Sequence, residues 1–426
     1  MSSPTAIYGR VALRKDLARS IRGGHPWVYR DAISSDRAIP DGAVVLVTSR
    51  DGRPIGRGFW SSTSPIAVRM LATDAAVDLE LEVPTRLRQA LDQRLTLFDL
   101  NATNAFRWVH GEADLLPGMH LYVYGARASV RFDGAEAAAF YGRFAEDILA
   151  LGGAIGLASL VERRRASQSR RSGPGPGLTG PPESDERDPE PPGDGNARLV
   201  TLAGEEAPDG PFLVRENGLT FEVDLLHGQK GGLFLDQRDN RQWVRQHAAH
   251  RRVLNLFGYT GGFSVYAAAG GAAETTTVDL SPGAVAAARK NLMHNQLPVQ
   301  HGATLVVSDA FAFLAAARKR GQTWDLVISD PPSFAPRQSA LPEALRAYRR
   351  LHQACAAVTA PGGILCAASC SSHVGSAAFV DSVEAGCADA GRRFTLKELR
   401  GAGADHPVVA QFPEGSYLKF AAGLVG

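Results

Sequence analysis

The chain has 426 residues, with 46 basic and 44 acidic side chains, 44% hydrophobic and 21% charged residues, and a formal net charge of +2. That composition excludes a wholly disordered chain, and the length predicts two to three domains, each long enough to bury a core. No apolar run approaches the ~18–20 residues of a membrane span, which excludes a helical membrane protein.

The N-terminal stretch MSSPTAIYGR shows no charged region leading into an apolar one, so no secretory signal is expected. Residues 1–73 hold eleven Lys/Arg against five Asp, a surplus of six, so the near-neutral total conceals a basic N-terminal part and a mildly acidic remainder. Short alternating runs, Ala43-Val44-Val45-Leu46-Val47 and Ile66-Ala67-Val68-Arg69-Met70, are punctuated by Asp41-Gly42, Asp51-Gly52 and Gly56/Gly58. They predict a small β-rich domain over residues 1–74. Arg10, Arg14, Lys15, Arg19, Arg22 and Arg30 surround His25-Pro26-Trp27. Basic residues with interleaved rings suit a surface that tracks phosphates, so these six and His25 are the candidates for nucleic-acid contact. Trp27, a large apolar side chain, is expected in the core of the small barrel. Only six of the 46 basic residues are lysines; coding bias accounts for most of that arginine excess, but not for the N-terminal surplus.

Residues 75–211 predict a central α/β domain, with helices around Pro84–Asp99 and Ala135–Leu151 and strands at Phe106–His110 and His120–Tyr124. Within it the composition changes: from Glu162 to Ala197, 13 of 36 residues are Pro or Gly and Leu178 is the only large apolar residue. Such a stretch cannot bury enough surface to offset its ordering entropy, so a disordered insertion is expected at about 162–197. Its clusters Arg163-Arg164-Arg165 and Arg170-Arg171 read as a solvated tether rather than a nucleic-acid contact.

From 212 to 426 the pattern is α/β. Apolar runs at Val253–Phe257, Thr275–Asp279, Thr304–Val307, Leu326–Ser329 and Ile364–Ala367 alternate with helical stretches at Val265–Ala269, Pro282–Asn295, Ala310–Arg320, Ala340–Val358 and Ser376–Ala390. Strands separated by helices predict parallel βαβ units in a Rossmann-like, doubly wound sheet, where ligands collect at the carboxyl ends of the strands. The first strand runs into Asn255-Leu256-Phe257-Gly258-Tyr259-Thr260-Gly261-Gly262-Phe263-Ser264, a small-residue turn that lets the backbone approach a ligand closely. The G-x-G-x-x-G dinucleotide fingerprint is absent, which counts against a dehydrogenase. Asp279-Leu280 ends the second strand 18 residues past Gly261, where a carboxylate can accept both hydroxyls of a ribose. Asp309-Ala310 ends the third, beside a prospective adenine edge, and Asp330-Pro331-Pro332-Ser333-Phe334 ends the fourth. Four polar strand ends in register favour a nucleoside ligand over an empty scaffold.

Asn255–Ser264, Asp279, Asp309 and the Asp330-Pro-Pro-Ser run resemble motifs I to IV of class I S-adenosylmethionine-dependent methyltransferases. The stretch Gly228-Gln229-Lys230-Gly231-Gly232-Leu233-Phe234-Leu235-Asp236-Gln237-Arg238-Asp239-Asn240-Arg241 is similar to a signature of one subgroup, the PUA-domain ribosomal large-subunit methyltransferases that make 5-methylcytosine in 23S rRNA. Gly24–Tyr29, His110–Gly118 and Ser369-Cys370-Ser371 match the same subgroup, and the resemblance covers nearly the whole chain except about 162–211. Two features depart from the family pattern: the 162–197 insertion, and Gly231-Gly232 where members commonly carry Thr-Gly.

The resemblance implies an N-terminal PUA barrel, a small central α/β domain and a C-terminal Rossmann-like catalytic domain. It implies S-adenosylmethionine as cofactor, held by Asn255, Phe257, Tyr259, Thr260, Gly261, Gly262, Phe263, Ser264, Asp279, Leu280, Asp309, Ala310 and Asp330. Gln237, Arg238 and Asn240 could contact cofactor or RNA, while Phe234 could pack near the adenine or the target base; the alternative for this stretch is a helix entry held by Asp236 and Asp239 salt bridges.

All four cysteines, Cys355, Cys366, Cys370 and Cys387, lie in the last 72 residues without metal-ligand spacing, so neither a disulfide framework nor a metal is expected and a cytoplasmic location is. Spacing alone leaves Cys370 open between a nucleophile and a small buried hydrophobe. The Ser-Cys-Ser context resembles motif VI of RNA 5-methylpyrimidine methyltransferases, which makes Cys370 the implied nucleophile and Asp330 its catalytic partner at the N3 edge of the base. The other three cysteines are expected in the core. Asp330-Pro-Pro also resembles the motif for methylating exocyclic amines, although here Ser333 follows the prolines and Phe334 comes one later. The expected partner is RNA, 23S rRNA or a large-subunit precursor, with a homodimer left open. The rival readings are an rRNA methyltransferase acting on a guanine or adenine nitrogen with Cys370 structural, and a non-catalytic RNA-binding assembly factor.

Overall fold

The computed structural model describes residues 6–34, 38–165, 197–299, 302–412 and 415–426. The N-terminal part is a six-stranded, nearly closed sheet. Across it the strands follow the order Trp27–Tyr29, Ile66–Ala72, Pro54–Trp60, Val44–Thr48, Gly9–Leu13 and Ile33–Ser34. Val11, Val28, Val45, Val47, Ile55 and Val68 fill its interior. Gly56 and Gly58 do not punctuate the chain as expected; they lie inside the strand Pro54–Trp60. A Cβ at Gly56 would meet the Ala72 carbonyl oxygen at 2.0 Å, and one at Gly58 the Arg69 carbonyl oxygen at 2.3 Å. The two glycines therefore allow the close crossing that bends this sheet.

Trp27 is buried, but not in the barrel core. It packs with Ile66 and Phe412, its ring 4.6 Å from the Phe412 ring, and its Nε1 donates to Glu112 Oε1 at 2.8 Å. Its indole needed a partner for the N–H, and the junction of all three domains supplies one.

The central domain carries a five-stranded sheet of Ala105–His110, Met119–Tyr124, Arg127–Phe132, Ser159–Arg165 and Ala197–Gly204. Its long helix runs Leu79–Leu97, with the Asp78 side chain accepting from the Glu80 N–H, so Pro84 falls inside the helix rather than at its start. The expected second helix is two, Ala135–Tyr141 and Ala145–Gly152, broken by a tight turn at Gly142–Phe144. The expected insertion is shorter at both ends: Glu162 to Arg165 and Ala197 are paired strand residues. Arg163 donates to the Leu226 carbonyl and Arg164 pairs with Glu162. The rest of that expectation, 166–196 with Arg170-Arg171, lies outside the described residues.

The C-terminal domain opens with an unanticipated hairpin, Phe212–Glu216 and Leu219–Val223. Its main sheet has seven strands, in the order Ala303–Val307, Glu274–Asp279, Arg252–Leu256, Trp324–Ser329, Thr359–Ser369, Lys419–Val425 and Phe394–Arg400. The first five are parallel, as the βαβ pattern predicts; Lys419–Val425 runs antiparallel to its neighbours on both sides. Helices cover both faces, with Trp243, Val244, Phe263 and Ala267 packed on one and Leu314, Tyr348, Leu351 and Phe379 on the other. The sequence order reverses between the strands Arg252–Leu256 and Trp324–Ser329, and that reversal opens the crevice in which such sheets bind ligands.

Candidate active site

The loop after Arg252–Leu256 is held in an uncommon conformation. Phe257 (φ 56°), Tyr259 (φ 47°) and Gly261 (φ 79°) all adopt left-handed backbone angles, which cost non-glycine residues of order 1–3 kcal/mol each. The surroundings impose it. Asp279 Oδ2 accepts from the Tyr259 N–H at 2.8 Å, while Oδ1 accepts from the Ser281 N–H at 2.8 Å. Beneath the loop, Asn255 Nδ2 donates to Ser264 Oγ (2.9 Å), and Ser264 Oγ shares a hydrogen bond with Thr277 Oγ1 (2.7 Å). Thr260 Oγ1 donates to the Gly232 carbonyl at 2.8 Å, tying the loop to the Gly228–Arg241 stretch.

The implied cofactor residues thus divide in two. Asn255, Thr260, Phe263 and Ser264 are buried and brace the loop from below, Phe263 by stacking on Phe420. Tyr259, Asp279, Leu280 and Asp309 line the strand ends, while Ala310 is buried in the core beneath them. Leu280 is 71% exposed, an apolar face beside a carboxylate already anchored by two backbone N–H groups. Asp309 is exposed and caps the helix Ala310–Lys319 through the Ala312 N–H. Phe234 approaches Tyr259 edge-on at 5.4 Å. A fixed carboxylate for vicinal hydroxyls, an apolar platform for a planar base and a loop with glycines at 258, 261 and 262 fit S-adenosylmethionine.

At Gly261 a Cβ would stand 2.8 Å from Ala288 Cβ, at a φ that disfavours any side chain. Gly261→Ala is expected to weaken S-adenosylmethionine binding by about tenfold or more, from roughly 1–3 kcal/mol of strain. Calorimetric titration checks it; an unchanged Kd would mean that the loop tolerates the methyl group.

Asp330 and Cys370 follow adjacent parallel strands, with Ser329 opposite Ala367 in the register. Their turns are fastened together. Ser333 Oγ and Ser371 Oγ share a hydrogen bond of 2.9 Å, and Tyr348 Oη reaches Ser369 Oγ at 2.8 Å and Ser371 Oγ at 3.2 Å. Burial pushes the Tyr348 hydroxyl up to about 12, so it stays protonated within this cluster. Lys419 Nζ, itself buried, donates to the carbonyls of Ser371 (2.5 Å) and Tyr417 (2.8 Å). In the sequence the serines flanking Cys370 show only as a pattern, and no local signal reports their bracing role. Lys419 could have been: it is one of six lysines and sits within the apolar run Leu418 to Val425.

Among the four cysteines only Cys370 is partly exposed. Burial pushes the Cys355 and Cys387 thiols up to about 12 and raises that of Cys366 as well. Those three are core residues, as expected, and do not supply a thiolate at neutral pH.

In the Gly228–Arg241 stretch, Gln237 Nε2 donates to Asp330 Oδ2 at 3.0 Å. Arg238 is instead engaged away from the crevice: its guanidinium pairs with Asp405 (2.9 Å) and Glu216 (3.4 Å) and donates to the Ala105 carbonyl (2.7 Å). Arg241 makes a two-pronged pair with Glu216. Asp236 accepts from the Tyr417 hydroxyl and Asp239 from the Ala404 N–H. The ion pairs holding this helix entry are thus made by its arginines, and its aspartates accept from a hydroxyl and a backbone N–H.

On the N-terminal domain Arg10, Arg14, Arg19 and Arg22 are exposed. Lys15 pairs with Asp31 at the surface, at 2.5 Å. Arg30 lies over the Trp60 ring and donates to the carbonyls of Ser61 and Ser64, and half-buried His25 accepts from the Trp27 N–H. Part of the basic surplus therefore holds the barrel together. No cluster of side chains suited to a metal ion occurs among the described residues, and no helix among them is long and apolar enough to cross a membrane.

A family model described as S-adenosylmethionine-dependent methyltransferase matches residues 199–394, and one described as a PUA-like domain matches residues 11–73. The chain is 34% identical over 414 residues to a ribosomal RNA large subunit methyltransferase I of Tolumonas auensis, covering 96% of this chain and 97% of that one. It is 32% identical over 416 residues to the protein of the same name from Aeromonas salmonicida, with 96% and 97% covered. Among solved structures, a putative SAM-dependent methyltransferase from Streptococcus mutans superposes with a TM-score of 0.76 at 23% identity, over 98% of this chain and all of that one. A putative methyltransferase complexed with SAH superposes equally well, at 24% identity. These two likenesses establish the fold.

Proposed function

Because the chain belongs to the ribosomal RNA large subunit methyltransferase I family, S-adenosylmethionine-dependent RNA methyltransferases with a PUA-like domain, we propose that it methylates C5 of a cytosine in 23S rRNA through a covalent adduct with Cys370. One observation carries the proposal: the single partly exposed thiol and the Asp330 carboxylate follow adjacent parallel strands whose turns are bonded through Ser333 and Ser371.

Cytosine C5 is too weak a nucleophile to accept a methyl group unaided. The Cys370 thiolate adds to C6, forming a C–S bond and turning C5 into an enamine-like carbon. Asp330, in its protonated form, donates its O–H to N3, where charge develops. S-adenosylmethionine, when bound, supplies the methyl group as an electrophile. A base then takes the C5 proton, the electrons of the C5–H bond expel the thiolate with cleavage of the C–S bond, and N3 returns its proton to Asp330, which restores the aromatic ring. Asp279, anchored by the Tyr259 and Ser281 N–H groups, would hold the ribose hydroxyls of the cofactor. Exposed Arg10, Arg14, Arg19 and Arg22 support RNA docking by the N-terminal domain. A cytoplasmic location follows from the same reading.

Nucleoside analysis of 23S rRNA, transcribed without modification and incubated with protein and S-adenosylmethionine, tests the base. The expected product is 5-methylcytidine. A methylguanosine or N6-methyladenosine would replace this reading with nitrogen methylation, and no product with intact cofactor binding would favour an assembly factor.

A further inference from the structure

The hydrogen bond to Asp330 belongs to a directional chain of three side chains that starts at the far edge of the sheet. Arg400, the last residue of the edge strand Phe394–Arg400, can only donate, and its Nε reaches Asn240 Oδ1 at 3.3 Å. That contact fixes the sense of the Asn240 amide. Its Nδ2 donates to Gln237 Oε1 at 2.7 Å and to the Gly401 carbonyl at 3.1 Å. Gln237 Oε1 is thereby committed as an acceptor, so the Gln237 NH2 group is the end that faces Asp330 Oδ2.

Both amides are buried, Asn240 at 0% and Gln237 at 3% exposure. Buried amides are costly unless satisfied, and reversing either one would set two acceptors or two donors face to face. The chain therefore has one low-energy direction, and it delivers an N–H to one oxygen of the catalytic carboxylate. When Asp330 carries a proton, that proton resides on the other oxygen.

We infer that Gln237 is a positioning residue for the methyl-transfer reaction: with its amide sense set by Arg400 through Asn240, it holds Asp330 Oδ2 as the acceptor and assigns the donor role to the second carboxyl oxygen. The inference rests on Asp330 acting at the target base. It replaces direct contact with the cofactor as the role of Gln237.

The test uses Gln237→Met, which keeps the length of the side chain and removes the N–H, and Asn240→Asp. In Asn240→Asp the new carboxylate can only accept, so Gln237 turns its NH2 toward it and presents an oxygen to Asp330. Rates are scaled to S-adenosylmethionine-binding sites counted by titration, so that any misfolded fraction drops out. Both variants are expected to lose about 10- to 100-fold in kcat, with Kd for S-adenosylmethionine and KM for RNA within about twofold of wild type. Wild-type kcat in Gln237→Met would overturn the inference. So would a Kd that weakens in step with the rate, because Gln237 would then be a cofactor contact. The identity of the methylated nucleoside is read from the same reactions, so a wrong base and a wrong role for Gln237 appear as different results.

Discussion

Cys370→Ala is expected to abolish methyl transfer, by on the order of 10⁴-fold or more in kcat, while S-adenosylmethionine binds as it does to the wild type. The expectation follows from the distribution of thiols. The three other cysteines are buried, and burial raises their pKa values, so none can substitute. The residues proposed to hold the cofactor lie on the preceding strand ends, and the turn at Cys370 is held by Ser369, Ser371 and Lys419, which the substitution leaves in place. A variant that still methylates at even a hundredth of the wild-type rate would make Cys370 structural and move the chemistry to Asp330 alone. Single-turnover transfer of labelled methyl groups, run beside calorimetric cofactor titration, separates the two results.

The second large effect concerns stability. Arg238 is fully buried and faces two buried carboxylates, Glu216 and Asp405, while donating to the Ala105 carbonyl of the central domain. Burial alone would disfavour its charge, but Asp405 and Glu216 more than offset that and hold the guanidinium protonated. Arg238→Met removes the cation and leaves both carboxylates behind. Breaking a buried pair in this way costs about 3–5 kcal/mol, far more than the worth of an exposed pair. The melting temperature should fall by on the order of 10 °C. Below that transition, affinity for S-adenosylmethionine should be nearly unchanged. The opposite pattern, an unaltered melting curve with weakened cofactor binding, would return Arg238 to the cofactor site.

What the sequence disclosed depended on the range of each signal. The five parallel strands are legible because their mostly β-branched and apolar runs alternate with helical stretches, and the carboxylates Asp279, Asp309 and Asp330 at or just past three strand ends mark the crevice directly. The last hairpin was not. Lys419–Val425 is rich in Ala and Gly, and Phe394–Arg400 is an exposed edge strand with little alternation, so neither carries a strong period. Gly56 and Gly58 misled because a glycine that punctuates a turn and one that admits a crossing strand look alike in one dimension. For Arg238 the sequence leaves ligand contact and a helix-entry role both open, because its pairing with Asp405 spans 167 positions and no local pattern reports such a contact. The same holds for Gln237 and Asp330, 93 positions apart. Trp27 was rightly judged buried, yet its burial requires Phe412 from the opposite end of the chain.

The covalent step is the centre of the account, and one measurement reads it directly. When 23S rRNA transcribed with 5-fluorocytosine is incubated with the protein and S-adenosylmethionine, the fluorine blocks loss of the C5 substituent and should trap the intermediate. The account predicts an RNA–protein adduct that survives denaturation, carries one transferred methyl group and maps by peptide mass to the segment containing Cys370. Methylation of that RNA with no adduct, or an adduct that persists in Cys370→Ala, would contradict it.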